Sequence, residues 1–570
     1  MKKPIVGIDL GTTNSLVAIW KEGEARVLSN VLGCALTPSV VGVDDDGRIL
    51  VGQAAKERLL THPHLTVGNF KRSMGTTQTF LLGGPTFRPE ELSSLVLRSL
   101  KADAEAFLGH AVEEAVISVP AYFNDAQRKA TRTAGVLAGL AVERLINEPT
   151  AAAMAYGMHE ATNESTFLVF DLGGGTFDVS VLEIFDGVME VHASAGDNFL
   201  GGEDFVTVLE ERFSRHVGID PDDLSPIDRS RLRRALEETK LRLSAADTAT
   251  VQVRLEALDC EWTVSRAEFE SAAEPLVERM RAPIERALRD ARLKVADLDA
   301  VVLVGGATRM PLVRALAARL FGRFPLAKIH PDEAVARGAA IQAGLKSRDE
   351  ALSETVLTDI CPYSLGVAVA VTDKNGTVID HEFSPILERN TIVPTSCERH
   401  YSPIHDEQTA VRMEIYQGES RKLDHNIFLG SVTLPLPRGG KARERSLLVR
   451  FTYDINGLLE VEARVAGTEI CESLVIEGNP GTLTPDEILE RLRALECLKV
   501  HPREQMENRT LLARGERLFE ESLGDLRLRI GRLLGEFEAV LESQAREQIE
   551  RAQMELRREL DRLEQRSTPW

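Results

Sequence analysis

One pattern occurs twice in this sequence, as Ile8-Asp9-Leu10-Gly11-Thr12-Thr13 and as Phe170-Asp171-Leu172-Gly173-Gly174-Gly175-Thr176. In each copy an apolar run that predicts a strand ends at an aspartate, and a glycine turn with threonine hydroxyls leads into a second strand. Glycine lets backbone N–H groups approach phosphate oxygens without a Cβ in the way, and the hydroxyls add donors. One copy alone would indicate only a hairpin turn. The recurrence predicts two hairpins that clasp a triphosphate between two lobes.

A third glycine turn, Val304-Gly305-Gly306-Ala307-Thr308-Arg309, follows an apolar run and precedes a predicted helix, an arrangement that suits ribose and base contacts. The chain contains no G-x-x-x-x-G-K-[ST] motif and no G-x-G-x-x-G in a βαβ context. P-loop and Rossmann nucleotide sites are therefore unsupported. Two carboxylates, Asp9 and Asp171, facing one cleft would suit magnesium, which keeps several waters and takes few protein ligands.

Length and composition indicate an ordinary globular protein of several domains. The chain has 570 residues, 43% of them hydrophobic and 27% charged, so we expect about three or four packed units. Its 88 acidic against 68 basic side chains give a net charge of -20, which repels nucleic-acid backbones at long range. A nucleic-acid partner is therefore not expected.

The sequence also argues against a membrane or disulfide-rich class. Asp9 interrupts the short apolar run at the N-terminus, so no signal peptide is predicted, and no segment approaches the roughly 20 apolar residues that span a bilayer. The cysteines form no C-x-x-C pair, which predicts neither a zinc site nor a disulfide framework. These features favour a reducing cytoplasm. The six cysteines are Cys34, Cys260, Cys361, Cys397, Cys471 and Cys497.

The chain is predicted to divide into an α/β domain over 1–352, a linker over 353–359, an all-β domain over 360–481 and a helical region over 482–570. Strand-like and helical runs alternate in the first part, whereas short alternating segments separated by Gly, Pro and Asn turns fill the third. Thr484-Pro485-Asp486-Glu487 carries the signals of a helix start. A stripe with helical spacing predicts a bundle core there. Its members are Leu526, Ile530, Leu533, Phe537 and Val540.

Four motifs resemble the seventy-kilodalton heat-shock chaperone family of the DnaK type, and the short length is most like its HscC-like branch. The resemblance extends from the start to about residue 500. It implies an actin-like two-lobed ATPase domain, a β-sandwich that binds peptides and a C-terminal helical lid, with ATP controlling the capture and release of unfolded polypeptides. The motifs are Gly7-Ile8-Asp9-Leu10-Gly11-Thr12-Thr13-Asn14-Ser15, Val119-Pro120-Ala121-Tyr122-Phe123, Asn147-Glu148-Pro149-Thr150-Ala151-Ala152-Ala153 and Asp171-Leu172-Gly173-Gly174-Gly175-Thr176-Phe177-Asp178.

Residue by residue, the resemblance implies a catalytic site for slow ATP hydrolysis. Asp9 and Asp171 would hold Mg²⁺ through water, and K⁺ is a further candidate ion. Lys71 would reach the γ-phosphate and the attacking water, Glu148 would orient water or magnesium, and Thr176 would contact phosphate. The implied nucleotide-binding residues for ATP or ADP are Gly11, Thr12, Thr13, Asn14, Gly173, Gly174, Gly175, Gly201, Gly202, Glu237, Lys240, Ser244, Gly305, Gly306, Arg309 and Asp332.

The resemblance further implies that Pro120 and Arg128 relay the nucleotide state to the β-domain. Arg144 lies where a J-domain co-chaperone contacts the family, and a nucleotide exchange factor is a second implied partner. Six residues are implied to line the groove for unfolded polypeptides. They are Val367, Val369, Ala370, Tyr401, Ile404 and Val411.

The sequence departs from the family pattern at several points. It is shorter between Gly75 and Phe87, and Thr355-Val356-Leu357-Thr358 is less apolar than the family's linker, so it should bury less area when docked. Ala370 and Ile404 predict an altered arch over the peptide. Ala307 lacks the polar side chain common beside the base, and without an acidic C-terminal tail no docking to tail-reading co-chaperones is expected.

Two other functional classes stay open from the sequence. The two-lobed scaffold also hosts small-molecule kinases, because a fold does not determine a function. A kinase would leave the β-domain and helical region unexplained. The polar linker and shortened lobe are also compatible with a barely enzymatic regulator that sequesters one partner, although intact Asp9, Lys71, Glu148, Asp171 and Thr176 argue against complete loss of hydrolysis.

Overall fold

The structure is a computed structural model, and it separates the chain into two compact units, Met1–Pro362 and Tyr363–Trp570. We call them the N-terminal unit and the C-terminal unit. The residues that the structure describes are 4–44, 47–59, 61–157, 165–185, 188–256, 259–326, 329–347, 352, 356–372, 378–437, 441–442, 445–454, 457–476, 506–544 and 546–567. The four domain bounds predicted from the sequence stay predictions.

The first half of the N-terminal unit is built on a mixed sheet in the order β11-β10-β1-β2-β3, with β4 paired to β2. Apolar residues from its strands and from two flanking helices form one core. The elements are β1 (Ile5–Asp9), β2 (Asn14–Lys21), β3 (Glu24–Val27), β4 (Thr37–Pro38), β5 (Val40–Val43), β6 (Ile49–Val51), α1 (Gln53–Arg58), β7 (Thr66–Gly68), β8 (Phe80–Leu81), β9 (Thr86–Phe87), α2 (Pro89–Leu108), β10 (Glu114–Val119), α3 (Asp125–Leu137), β11 (Ala141–Asn147) and α4 (Glu148–Ala155).

The second half repeats this plan around a sheet in the order β17-β12-β13-β14-β18, and it has its own core. Its elements are β12 (Ser165–Leu172), β13 (Phe177–Phe185), β14 (Val188–Asp197), α5 (Gly202–Val217), α6 (Pro226–Leu243), β15 (Thr248–Arg254), β16 (Asp259–Ser265), α7 (Arg266–Ala272), α8 (Glu274–Asp290), β17 (Ala300–Val304), α9 (Pro311–Phe321), α10 (Ala334–Lys346) and β18 (Val356–Ile360).

The two sequence repeats form equivalent antiparallel hairpins, as predicted. β1 pairs with β2 and β12 with β13, so Asp9 ends one strand and Asp171 lies one residue before the end of another. Helix α10 returns to pack on β1, where a side chain at Gly7 would collide with the backbone of Ala339 and Ala340. This close approach explains why glycine occupies the middle of a buried strand.

Part of the segment predicted as a linker forms strand β18. It pairs in parallel with β14, with Val188 opposite Val356 and Glu190 opposite Thr358. The linker therefore extends the second sheet of the N-terminal unit by its own backbone hydrogen bonds, which do not require apolar side chains.

The C-terminal unit begins with two four-stranded antiparallel sheets that pack against each other. Their orders are β20-β19-β23-β24 and β22-β25-β26-β27. The strands are β19 (Leu365–Thr372), β20 (Val378–Leu387), β21 (Ile392–Val393), β22 (Thr395–Tyr401), β23 (Ala410–Gln417), β24 (Ile427–Pro435), β25 (Leu447–Tyr453), β26 (Leu459–Val465) and β27 (Cys471–Ile476).

In the described part of this unit the sheets are followed by three helices, α11 (Met506–Glu521), α12 (Gly524–Ser543) and α13 (Arg546–Ser567). Their shared core buries Ile530 and Phe537 and partly buries Leu533 and Val540, so the predicted stripe is confirmed at these positions. The prediction is wrong at Leu526, which is 39% exposed. The predicted helix start at Thr484 lies outside the described residues, and within the described part of the chain no helix is long and apolar enough to cross a bilayer.

Candidate active site

A cavity of about 490 Å³ in the N-terminal unit collects residues from both hairpins and from the third glycine turn. Its volume lies in the usual range for small-molecule sites. The predicted residues that line it are Asp9, Gly11, Thr12, Thr13, Asn14, Lys71, Glu148, Asp171, Gly173, Gly174, Thr176, Gly202, Glu237, Lys240, Ser244, Gly305, Gly306, Arg309 and Asp332.

Two predicted residues, Gly175 and Gly201, are not among the residues that line the cavity. A Cβ at Gly175 would meet Thr12 and the Arg72 side chain, and one at Gly201 would collide with the backbone of Gly174 and Gly175. The space that a side chain would need at these two positions is taken by protein. Their assignment as direct nucleotide contacts stays a prediction.

The first hairpin turn is held by hydroxyl groups. The Gly11 N–H donates to Ser15 Oγ at 3.1 Å, and Ser39 Oγ donates to the Gly11 carbonyl at 2.7 Å. The Ser15 and Ser39 hydroxyls lie 2.9 Å apart, and both side chains are buried. The turn is thus fixed before any ligand arrives, which lowers the entropy cost of binding.

Lys71 and Glu148 form a buried ion pair in the cavity. Lys71 Nζ donates to Glu148 Oε1 at 2.8 Å, and only 4% and 10% of the two side chains are exposed. The lysine Nζ also lies 5.5 Å from the centroid of the Phe123 ring. Lys71 comes from a short 3₁₀ helix over Phe70–Ser73, and Glu148 is the first residue of α4.

Three aspartates beside this pair have raised pKa values. Burial, with the nearby Glu148 carboxylate, raises the pKa of Asp9 to about 7 and that of Asp178 to about 7. The same causes raise the pKa of Asp171 well above its ordinary value. Ser118 Oγ donates to Asp9 Oδ1 at 2.8 Å, and the Tyr122 N–H donates to Asp178 Oδ1 at 3.1 Å. Concentrated, desolvated carboxylates of this kind favour a bound cation.

The acidic cluster fits magnesium. Asp171 Oδ2 is buried and makes no hydrogen bond within the protein, so an acceptor oxygen is available. In the part of the chain that the structure describes, no group of three or more His, Cys, Asp or Glu side chains is placed to ligate a metal directly. An ion held by Asp9 and Asp171 would therefore complete its shell with water and phosphate oxygens.

A further part of the cavity wall is formed by α6 and the third glycine turn. Lys240 Nζ donates to the Gly202 carbonyl at 3.0 Å and to Glu237 Oε2 at 3.3 Å. Ser244 follows the helix, and its Oγ donates to the Lys240 carbonyl at 3.3 Å. Arg309 Nη2 donates to Asp332 Oδ2 at 2.5 Å. Polar side chains from α6 and from the region of the third glycine turn thus line this part of the cavity.

Several cavity residues were missed from the sequence because they belong to no motif. Lys56 lies on the short helix α1, Leu241 is an exposed residue of α6, and Val335 lies on α10. Ser118, which holds Asp9, sits one residue before the end of β10. Proximity to the quoted Val119-Pro120 motif was the one available signal for it.

One of the two predicted relay residues, Arg128, is linked through Asn147 to the strand formed by the linker. Arg128 Nη2 donates to Asn147 Oδ1 at 2.7 Å and to the Ala121 carbonyl at 3.1 Å. Asn147 Nδ2 donates to both carboxylate oxygens of Asp359, at 2.8 and 2.9 Å. Burial raises the pKa of Asp359, and Arg128 and Arg144 oppose that shift. Pro120 is buried at the end of β10, where its carbonyl accepts the Phe123 N–H.

In the C-terminal unit, a second cavity is lined by all six residues predicted for the peptide groove, Val367, Val369, Ala370, Tyr401, Ile404 and Val411. The Tyr401 hydroxyl lies 3.1 Å from Ser384 Oγ, which fixes the ring. Sequence reasoning missed His381, His400, Met413 and Leu447 on the same walls. Alternation alone does not tell which strand face borders a groove.

The N-terminal cavity, with glycine hairpins, a buried lysine and an acidic cluster, defines a nucleotide-hydrolysing protein. Comparison with protein families then narrows the class. A family described as Hsp70 protein matches residues 5–81 and 76–568 of the chain. The chain belongs to the Hsp70 family.

Relatives with an established name support the same assignment. The chain is 44% identical over 496 residues to the "Chaperone protein DnaK" of Thermotoga neapolitana, covering 84% of this chain and 81% of the relative. It is 44% identical over 506 residues to that of Thermotoga maritima, covering 85% and 82%. It is 42% identical over 505 residues to that of Thermosipho africanus, with the same coverage. The predicted HscC-like branch stays a prediction.

Membership of this family establishes the general activity of the protein. The protein is an ATP-dependent molecular chaperone and an ATPase that binds unfolded polypeptides. Proteins of this family bind ATP and ADP with Mg²⁺. The sequence predictions of chaperone function and of ATP hydrolysis are confirmed at this level.

Proposed function

We propose that residues 1–352 form an actin-like two-lobed ATPase whose nucleotide state controls peptide binding elsewhere in the chain. In this proposal 353–359 is the interdomain linker, 360–481 a β-sandwich that binds peptides and 482–570 a helical lid. Two similar halves with a cavity between equivalent hairpins support the ATPase assignment. Two packed four-stranded sheets with a groove support the assignment of 360–481 as a β-sandwich that binds peptides.

The catalytic residues are proposed to be Lys71, Glu148, Asp9, Asp171 and Thr176. When bound at Asp9 and Asp171, Mg²⁺ would neutralise phosphate charge. Lys71 donates to the γ-phosphate and the attacking water, because phosphoryl transfer is accelerated mainly by positioning and charge neutralisation. Glu148 holds the lysine ammonium in place through their 2.8 Å contact and excludes other orientations.

The nucleotide is proposed to lie along the cavity with its phosphates at the hairpins and its adenosine at α6 and the third glycine turn. Thr12, Thr13 and Thr176 offer hydroxyls beside backbone N–H groups at the phosphate end. Glu237, Lys240 and Ser244 contribute polar groups at the other end, where Arg309 and Asp332 also lie. K⁺ is proposed as a further ion of the acidic cluster.

Coupling is proposed to run from Glu148 through Asn147 to the linker. The two residues are adjacent in the chain, so movement of Glu148 on hydrolysis displaces Asn147 and its two hydrogen bonds to Asp359. Arg128 contacts the same Asn147 side chain, and Pro120 fixes the end of β10 beside it. Strand β18 would then be held or released according to nucleotide state.

The clients are proposed to be extended apolar segments, which folded proteins bury and unfolded ones expose. A groove lined by Val367, Tyr401 and Val411 would take apolar side chains while backbone groups hydrogen-bond the segment. Ala370 and Ile404 would form its arch. A J-domain co-chaperone near Arg144, a nucleotide exchange factor and a cytoplasmic location are proposed from the family resemblance and the cysteine pattern.

The buried Lys71–Glu148 pair inside the acidic cavity is the observation that carries this proposal. The experiment is single-turnover ATP hydrolysis by the full chain, with and without a J-domain protein. We expect slow turnover that the J-domain raises, and a loss of about 10²-fold or more in Lys71→Ala, as for removal of a transition-state donor. The exposed Lys21→Ala is the matched control. Turnover unchanged in Lys71→Ala and Thr176→Ala would overturn the assigned site.

A further inference from the structure

His330 lies beside two residues of the nucleotide cavity although it belongs to none of the motifs. Arg309 Nη2 lies 2.7 Å from His330 Nε2 and 2.5 Å from Asp332 Oδ2. His330 Nδ1 lies 3.7 Å from the same Asp332 oxygen. Arg309 and Asp332 line the cavity, so the three side chains form one cluster at its edge.

The chemistry of the three groups determines which protonation state this cluster needs. A guanidinium only donates hydrogen bonds, so the histidine nitrogen nearest Arg309 must accept and carry no proton. Arg309 Nη2 lies 2.7 Å from Nε2 and 3.2 Å from Nδ1, so a neutral ring offers its unprotonated nitrogen as the acceptor. The two N–H groups of Arg309 Nη2 are then divided between the imidazole and the carboxylate.

This arrangement fixes a side chain that would otherwise be mobile. The Arg309 side chain is 44% exposed, and a long exposed arginine loses considerable rotamer entropy when it is immobilised by a ligand. With both Nη2 hydrogens engaged, the guanidinium keeps one orientation before the ligand arrives. Pre-organisation of this kind strengthens binding without adding a contact.

The backbone attaches the cluster to the third glycine turn. The Gly305 N–H donates to the Pro331 carbonyl at 3.2 Å, and a Cβ at Gly306 would meet Asp332 Oδ1 at 2.8 Å. The segment His330-Pro331-Asp332 and the turn Gly305-Gly306 thus form one wall of the cavity. A displacement of His330 would act on Arg309 directly and not through a distant element.

We propose that His330 is a positioning residue for the nucleotide, which in its neutral form holds Arg309 against the base and ribose end of the cavity and slows nucleotide release. This inference rests on the proposed adenosine end of the cavity. It assigns a role to a residue that touches Arg309 and not the nucleotide.

Protonation of the imidazole reverses the interaction. An imidazolium has no acceptor nitrogen and places a second positive charge beside the guanidinium. The described charged groups that face His330 are Arg309 and Asp332, and the protonated ring would compete with Arg309 for that carboxylate. Protonation of His330 should therefore accelerate nucleotide release.

The test is the dissociation rate of ribose-labelled fluorescent ADP from the full chain in Mg²⁺, measured between pH 5.5 and 8. At pH 8 we expect His330→Ala to release the nucleotide about three- to tenfold faster, the effect of one lost hydrogen bond. His330→Gln keeps an acceptor for Arg309 but does not titrate, so it should retain slow release. The exposed His110→Gln is the matched control.

The pH dependence is read as the ratio of the wild-type rate to the His330→Gln rate, since other groups of the cavity act on both proteins. We expect that ratio to rise toward pH 5.5 and to stay constant in an Arg309→Ala background. Equal rates for wild type and His330→Ala at pH 8, or a constant ratio, would overturn the inference. Absence of ADP binding to the wild-type chain would instead overturn the proposed nucleotide site.

Discussion

Lys71 shows how much one side chain depends on its neighbours in this protein. Its ammonium group is almost fully buried and is balanced by Glu148 at 2.8 Å, inside a cavity that also holds Asp9 and Asp171. A buried charge of this kind is tolerated only when it is paired and hydrogen-bonded. Desolvation raises the free-energy cost of burying the pair. It also strengthens the electrostatic interaction of these charges with a bound phosphate.

Removal of one partner should therefore destabilise the protein more than removal of both. We expect Lys71→Met to lower the free energy of unfolding by about 3–5 kcal/mol, because Glu148 is left as an unpaired buried carboxylate. The double variant Lys71→Met/Glu148→Gln should recover most of that loss. Urea denaturation measures the free energy of unfolding of the single and the double variant. A double variant less stable than Lys71→Met would contradict this expectation.

Sequence reasoning at this scale succeeded where a residue belongs to a motif. Asp9, Thr12, Asp171 and Thr176 could be placed in one cavity because glycine turns with hydroxyls predict phosphate contacts. Lys56 and Leu241 could not, because nothing local distinguishes them from ordinary surface residues of a helix. His330 is a similar case, since its partner Arg309 is 21 residues away in the chain.

At the scale of elements, apolar alternation predicted the strands and helical spacing predicted the bundle. β10, β12 and β17 all contain the apolar runs that the sequence indicated. The prediction failed at Leu526 because this residue lies in the first turn of α12, before the first buried residue of that helix, Ile530. Strand β18 was not predicted, because it forms by backbone pairing with β14, a partner that is distant in the chain.

A further element, the junction between α12 and α13, is attached to the β-sheet edge by one side chain. The Glu398 N–H donates to Gln544 Oε1 at 3.0 Å, and Gln544 Nε2 donates to the Glu398 carbonyl at 2.8 Å. β22 is the last strand of its sheet, so Gln544 occupies an open edge. Gln544 also adopts a left-handed backbone with φ 55°, which costs a non-glycine residue energy.

We expect Gln544→Ala to weaken this attachment by about 1–3 kcal/mol, the sum of two lost hydrogen bonds. The backbone groups of Glu398 at the edge of β22 would then exchange with solvent. Hydrogen exchange should show loss of protection at 396–400 with the sheet core unchanged. The matched control is Gln553→Ala, because the Gln553 side chain contacts Asn508 within the helices and not the sheet edge. Protection at 396–400 that is unaffected would contradict the attachment.

At the scale of the whole molecule, the acidic cluster should make stability depend on pH and on magnesium. Burial and Glu148 raise the pKa of Asp9 and of Asp178 to about 7, whereas an unfolded aspartate titrates near 3.9. Between these values the folded state binds more protons than the unfolded state. Stability is therefore fully present below about pH 4 and is lost as the pH rises through 7.

Without magnesium and nucleotide, the midpoint temperature of thermal unfolding should decrease as the pH is raised from 5 to 8. Magnesium with ADP should reduce this slope, because a cation stabilises the ionised carboxylates. Asp178→Asn should also flatten it, since the amide oxygen still accepts the Tyr122 N–H. A midpoint that rises over this range in the ligand-free protein would contradict the assigned directions.

ATP in the N-terminal unit is proposed to control peptide release through Asn147 and Asp359. The most direct measurement follows dissociation of a fluorescent unfolded peptide from the full chain after addition of magnesium and ATP. We predict that ATP accelerates release about tenfold or more in the wild type, and that Asp359→Ala removes most of this acceleration while still hydrolysing ATP. Peptide dissociation that ATP leaves unchanged in the wild type would contradict the account.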